Sequence, residues 1–227
     1  MRRALAACGV QPGDRVLEIG CGWGVLAELA AREFGAEVTG VTLSTEQLAW
    51  ARQRLAGAGV GADLRLQDYR DVADRPFDAI ASIEMFEAVG REYWPSFFET
   101  VKTRLKSGGK ACIQSITIRD DLFDRYLRST DFIQQYIFPG GLLPSRSAFR
   151  DAAAAAGLEV TAEFAFGADY AETLRRWRER FLAQESAVRA LGFDTRFVRI
   201  WEFYLAYCEA AFTTGNTSVV QFTLRRR

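Results

Sequence analysis

Leu17-Glu18-Ile19-Gly20-Cys21-Gly22-Trp23-Gly24 is the stretch that decides the fold. A short β-rich run from Arg15 to Ile19 ends at three alternating glycines, and a helical pattern from Val25 to Phe34 follows at once. Glycines at such a turn let the backbone bend tightly and approach a ligand without side-chain collision. A dinucleotide fingerprint, G-x-G-x-x-G, needs glycine at position 25, but Val25 stands there and the third glycine comes one position early. The loop is therefore a poor pyrophosphate cradle.

Downstream of the loop the same alternation repeats. Glu37 to Leu43 reads as a second strand, and Ser44-Thr45-Glu46-Gln47 as a capping box opening a helix to about Ala58. Asp63 to Gln67 and Phe77 to Ile83 are further strands, Tyr93 to Leu105 is helical, and Ser107-Gly108-Gly109 turns into a fifth strand from Ala111 to Ile118. Strands separated by helices imply βαβ units and a parallel sheet, and right-handed crossovers make it doubly wound. The expectation is an α/β, Rossmann-like sheet, mostly parallel, with a helical insertion after strand five. Asp120 to Pro144 reads as aromatic-rich and irregular, Ser147 to Ala156 as a helix and Glu159 to Phe166 as a strand. Two long helices then run from Ala171 to Phe212, broken near Gly192-Phe193-Asp194. Ser218 to Leu224 is the last strand, expected to return antiparallel to the sheet edge.

Composition narrows the chemistry. The 227 residues fit one domain with an elaborated end, and 49% hydrophobic content gives ample core. Lys plus Arg and Asp plus Glu both number 29, which argues against a dedicated nucleic-acid binder. The absence of histidine removes imidazole as a general base, together with triads and metal sites built on it. Cys8, Cys21, Cys112 and Cys208 are far apart and indicate neither a disulfide framework nor a zinc cluster; reduced thiols in a cytoplasmic protein and no metal are expected. No targeting segment is visible, and no apolar run approaches the ~20 residues that span a bilayer. Residues 171–227 hold ten arginines against six acidic residues, a balance of +4. Ending in Arg225-Arg226-Arg227, that third has two readings: a surface that contacts an anionic membrane, or a solvated helical face with a frayed tail.

A carboxylate immediately before the glycines, Glu18, suits a cationic or amino-bearing ligand better than a phosphate. Glu18 with Gly20, Cys21, Gly22, Trp23 and Gly24 fits S-adenosylmethionine, the acid facing its methionine ammonium. Ligands of open α/β sheets lie across the carboxyl ends of the strands. Thr42 and Gln47 fall there and can hydrogen-bond ribose hydroxyls, although Gln47 is equally a capping-box residue. Asp68 can accept from an adenine amino group with Tyr69 packed beside the ring, while Asp71 reads as a surface acid.

Several motifs carry a family likeness: Val16 to Gly24, Gly40-Val41-Thr42-Leu43-Ser44, Gln67-Asp68-Tyr69-Arg70-Asp71 and Met85-Phe86-Glu87-Ala88-Val89-Gly90. Tyr136-Ile137-Phe138-Pro139-Gly140-Gly141 and Phe166-Gly167-Ala168-Asp169-Tyr170 complete the set. Together they resemble the cyclopropane-fatty-acid synthase family, mycolic acid cyclopropane synthases included, from about residue 12 to the C-terminus. The resemblance implies methyl transfer from S-adenosylmethionine to the double bond of an unsaturated phospholipid acyl chain. The product is a cyclopropane, or a methyl or methylene branch. It also implies bicarbonate as the base, in a cage whose glutamate and tyrosine match Glu87 and Tyr170, and whose histidine aligns with Gln114. Cys8 matches no cage motif; Cys208 matches a late family cysteine, and a buried helix position is its alternative.

One methyltransferase domain is implied, with acyl-substrate insertions at about 119–150 and 167–215. Aromatic residues such as Tyr126, Phe132, Trp177 and Trp201 lie in those segments and can line an acyl site or form core. The family's N-terminal lid is expected to be missing, since only about fourteen residues precede the first strand. The expected place of action is the cytoplasm, with contact at the inner membrane face; oligomerisation stays open. Methylation of another small molecule, or cofactor binding without catalysis, remain the competing functions.

Overall fold

The computed structural model describes residues 1–226; Arg227, the last of the basic tail, lies outside the described residues. Strands are β1 Arg15–Ile19, β2 Glu37–Thr42, β3 Asp63–Leu66, β4 Phe77–Ile83, β5 Leu105–Ile118, β6 Leu158–Ala165 and β7 Thr217–Arg226. Helices are α1 Arg2–Cys8, α2 Val25–Phe34, α3 Thr45–Gly57, α4 Trp94–Arg104, α5 Asp120–Leu127, α6 Phe132–Tyr136, α7 Arg146–Ala155, α8 Gly167–Ala183, α9 Glu185–Ala190 and α10 Thr195–Thr213. The strands form one sheet in the order β3-β2-β1-β4-β5-β7-β6. β1 pairs parallel with β2 and β4, β2 with β3, and β4 with β5, while the far side of the sheet is antiparallel. This is the doubly wound α/β sheet expected from the alternation of strands and helices.

Five details depart from the sequence reading. The last strand is not at the edge: β7 lies between β5 and β6, and β6 is the edge strand. Burial explains the exchange. Six consecutive residues of β7, Val219 to Leu224, are buried, as in a strand covered on both faces, whereas β6 is mostly exposed and carries Glu159 and Glu163. The fifth strand starts at Leu105 rather than Ala111. The expected glycine turn is absorbed inside it as an irregularity, since Phe77 and Ala79 of β4 face Leu105 and Lys110. The stretch from Asp120 to Pro144 is only partly irregular, because α5 and α6 form within it, the latter opened by a full Asp131–Gln134 capping box. The first of the two long helices begins at Gly167 instead of Ala171 and breaks at Gln184. Helix α1 was not signalled, its seven residues being too few to show a period.

The chain divides into two compact units: Met1–Ser115 with Ser147–Phe164 and Gln221–Arg227, and Ile116–Arg146 with Ala165–Val220. In the first unit one core cluster joins Leu5, Val16, Leu26, Leu48, Leu55 and Leu64. Glu28 of α2, although buried, is neutralised by Arg32 and Arg54 at 2.7 and 2.6 Å, which ties α2 to α3. A second layer is aromatic: Phe86 packs on Trp94, Phe97, Phe98 and Phe149, and Phe149 stacks on Phe222 of β7 at 3.9 Å. In the second unit Leu174, Leu205, Phe212 and Val219 form the core, with Tyr170, Trp201, Tyr204 and Cys208 around it. Cys208 is half-buried on α10 and packs against this core.

Phe222 is fully buried in the stack that fixes β7, so Phe222→Ala should lower unfolding free energy by about 3–5 kcal/mol in urea titration. A loss below ~1 kcal/mol would show that the aromatic layer does not hold this strand.

Candidate functional site

The glycine loop places its residues unequally. Gly20, Gly22 and Gly24 all have positive φ, at 83°, 49° and 79°. A side chain at Gly24 would strike Ala51 of α3 at 2.9 Å, so this glycine lets α2 and α3 approach. At Gly22, by contrast, a Cβ would meet nothing within 4 Å, and this side of the loop is open to a ligand. The Cys21 side chain turns inward and is buried beside Gly40, so the thiol is core material. Trp23 points outward, 53% exposed, with its ring edge-on to Trp50 at 6.2 Å.

Glu18 is the electrostatic centre of the loop. It is 3% exposed, and the Ala27 N–H at the start of α2 donates to its carboxyl group. Its Oε2 atom is buried with no hydrogen-bond partner among the described residues. Burial pushes its pKa well above the usual carboxylate range, the Ala27 hydrogen bond offsetting only part of the effect. A buried acceptor without a donor is costly, and an ammonium group entering beside it would satisfy both the atom and the charge. The residues present therefore fit the amino acid end of S-adenosylmethionine.

Thr42 and Gln47 come together at the carboxyl end of β2. The Thr42 hydroxyl donates to Gln47 Oε1 at 3.2 Å and accepts from the Ser44 N–H at 3.2 Å. Ser44 caps α3 by accepting from the Gln47 N–H at 3.2 Å. Only this half of the expected capping box is made by Ser44 and Gln47, because the Gln47 side chain turns toward Thr42. Leu43 between them is 73% exposed, an apolar residue at the strand end that sequence reading passed over. Asp68, at the end of β3, caps the one-turn helix Tyr69–Asp71 and pairs with Arg70 at 2.7 Å. The Arg70 guanidinium holds its carboxyl below the usual range, so Asp68 is an anionic acceptor. Tyr69 sits edge-on to Phe97 at 5.6 Å.

The three residues expected to act on substrate lie in different units. Glu87, half-buried, occupies the one-turn helix Phe86–Ala88 in the first unit. Gln114, buried in β5 of the same unit, donates to Glu84 Oε1 at 2.7 Å and accepts from Gln221 Nε2 at 2.9 Å. Tyr170 belongs to α8 of the second unit, where its ring packs on Phe212 at 4.8 Å. Sequence reading named Glu87 and missed Glu84. The available signal was the one used for Glu18, an acid directly at the end of a parallel strand.

Burial pushes the thiols of Cys21, Cys112 and Cys208 up to about 12 and that of Cys8 higher still, so none is a thiolate nucleophile at neutral pH. The second unit carries an open groove of about 500 Å³ lined by Phe132, Tyr136, Thr195, Arg196, Arg199 and Ile200. No described helix is long and apolar enough to cross a membrane.

Comparison with known proteins identifies the family. The family model described as mycolic acid cyclopropane synthetase matches residues 1–222. The tuberculostearic acid methyltransferase of Mycobacterium tuberculosis is 46% identical over 227 residues, covering 99% of this chain and 53% of the relative. The cyclopropane-fatty-acyl-phospholipid synthase of Escherichia coli K12 is 38% identical over 219 residues, with 96% and 54% covered. A crystal structure of a mycolic acid cyclopropane synthase complexed with SAH and CTAB superposes with a TM-score of 0.90 at 31% identity, covering 99% of this chain and 82% of that one. The chain spans about half the length of the curated relatives it matches. It belongs to the mycolic acid cyclopropane synthetase family.

A cation placed beside Glu18 should lower its raised pKa, so binding of S-adenosylhomocysteine, which keeps the ammonium, should release protons in mildly acidic buffer. Calorimetry in buffers of different ionisation enthalpy reads this directly. Glu18→Gln should abolish the release and weaken binding by about 1.5–3 kcal/mol; buffer-independent heats in the parent chain would remove Glu18 from the ammonium site.

Proposed function

We propose that this chain transfers a methyl group from S-adenosylmethionine to the double bond of an unsaturated acyl chain in a phospholipid, giving a cyclopropane or a methyl- or methylene-branched chain. The observation that carries the reading is the buried, unpartnered Glu18 oxygen beside a glycine loop left open at Gly22. Membership of the family supports the acyl substrate, as do relatives named for fatty acyl and sphingolipid methylation.

Each residue has a distinct task in this reading. Glu18 anchors the ammonium, Thr42 and Gln47 hold the ribose hydroxyls, and Asp68 accepts from the adenine amino group. S-adenosylmethionine supplies an electrophilic methyl group on a sulfonium. An alkene is a weak nucleophile, so the protein must align it with that methyl and keep water from the carbocation that follows. Glu87 stabilises this positive charge. Aromatic faces do so as well. The cation must then lose a proton. Bicarbonate is the acceptor that the resemblance implies.

Methylation of a different small molecule is the second reading, favoured by Gln114 standing where the family resemblance places histidine. Lipid mass spectrometry on cells expressing the chain separates the two. Acyl chains should gain one CH₂, and Glu87→Gln should cut that gain by roughly 100-fold while S-adenosylhomocysteine still binds. Unaltered lipids beside another methylated metabolite would favour the second reading.

For the lipid surface we propose the groove bearing Arg196 and Arg199, where cationic and aromatic side chains meet. Each arginine near an anionic surface contributes about 1 kcal/mol. Joint Arg196→Glu and Arg199→Glu substitution should therefore weaken co-sedimentation with phosphatidylglycerol vesicles by roughly 30-fold or more. Equal binding to phosphatidylcholine would contradict an electrostatic contact.

A further inference from the structure

Four side chains of the first unit form a directed hydrogen-bond run that ends on a carboxylate. Arg3 Nη1 donates to Gln221 Oε1 at 3.0 Å. Gln221 Nε2 donates to Gln114 Oε1 at 2.9 Å, and Gln114 Nε2 donates to Glu84 Oε1 at 2.7 Å. Every donor points the same way, from a guanidinium to a carboxylate. Such aligned bonds polarise one another. Both glutamines are buried, at 7% and 3% exposure, and the Arg3 guanidinium lies over the Phe164 ring at 3.7 Å. The run therefore holds its members in fixed orientations. None of the three donors can take up a proton at neutral pH, so the run orients Glu84 and does not relay protons.

Glu84 is itself held in an uncommon state. Its φ is +53°, the one positive value outside glycine among the described residues. A bulky side chain in this region is strained, and such strain persists only where the surroundings over-determine it. Here they do, because the Glu84 N–H also donates to the Gln114 carbonyl at 2.9 Å, so one residue grips both backbone and side chain. Met85, the next residue, lies against the glycine loop: a Cβ on Gly20 would meet Met85 Cγ at 2.8 Å. Glu84 is exposed, and thus reachable by a substrate, at the carboxyl end of β4 where open α/β sheets bind ligands.

We propose that Glu84 is the base of the reaction, a carboxylate of the chain itself that receives the proton lost after methyl transfer. The inference rests on the acyl-methylation reading. The π electron pair of the alkene forms the new C–C bond to the methyl carbon, and the C–S bond breaks with its pair kept by sulfur. The adjacent carbon becomes cationic. Glu84 then removes a proton from the transferred methyl or from a neighbouring carbon. The C–H pair closes the ring or forms a double bond, and Glu84 becomes a neutral acid that returns its proton to solvent. Gln114, Gln221 and Arg3 are positioning residues for this carboxylate. Glutamine at 114 and glutamate at 84 act as one pair, the first orienting the second.

The test uses the full chain, S-adenosylmethionine and dioleoylphosphatidylglycerol vesicles in carbonate-depleted buffer. The parent should methylate the lipid with no response to added bicarbonate. Glu84→Gln should lose roughly 100-fold or more in turnover, yet bind S-adenosylhomocysteine within about threefold of the parent by calorimetry. Glu84→Gly should be equally inactive and should melt at or above the parent's temperature, because glycine relieves the positive φ. Gln114→Leu should lower kcat with little change in KM for the lipid. Methylation by Glu84→Gln at the parental rate, a bicarbonate requirement in the parent, or loss of S-adenosylhomocysteine binding in Glu84→Gln would each overturn the proposal. A parent that methylates no lipid would instead overturn the acyl-methylation reading, and this inference with it.

Discussion

A carboxyl group buried at the end of the first strand is the constraint on which the site depends. Glu18 carries an oxygen that nothing among the described residues satisfies, at a position where the backbone turns through glycines. Leaving such an atom buried and unpaired costs on the order of 1–3 kcal/mol. The fold bears that cost at one end of an otherwise apolar core of Val16, Leu17, Leu26 and Ala27. A cation-bearing ligand is the natural complement. In the proposed reading, burial of Glu18 is a binding device, because it destabilises the empty site relative to the filled one.

The same edge of the sheet carries the other candidate residues. Thr42 and Asp68 end β2 and follow β3, while Glu84 and Glu87 follow β4. β5 contributes Gln114, whose amide spans from Gln221 on β7 to Glu84. The neighbouring position of β7 and β5 makes that contact possible, and the Phe149–Phe222 stack anchors β7. A chain without histidine can therefore still present a well-oriented base, by holding a carboxylate with amides in place of an imidazole.

The parts of this arrangement that depend on local pattern were legible in the sequence. The first four strands and the helices after β1 and β2 follow from β-branched runs, glycines and a Ser44 cap, and so does the position of Glu18 at the end of β1. Where tertiary contacts decide, the reading failed. The interior position of β7 depends on which faces other elements cover, and a strand of alternating type such as Val219 to Leu224 does not announce it. Glu84 shares with Glu18 the signal of an acid at a strand end, but its positive φ and its partner 30 residues away, with Arg3 and Gln221 separated by 218 residues, are set by tertiary contacts. Cys21 lies in the glycine loop, and its side chain packs beside Gly40.

A crystal structure with S-adenosylhomocysteine bound tests the central claim most directly. The ligand's amino nitrogen should lie within about 3.2 Å of the Glu18 carboxylate, above the loop at Gly22, with its sulfur directed toward the β4 edge. A ligand seated elsewhere, or one that leaves the Glu18 oxygen still without a donor, would contradict it.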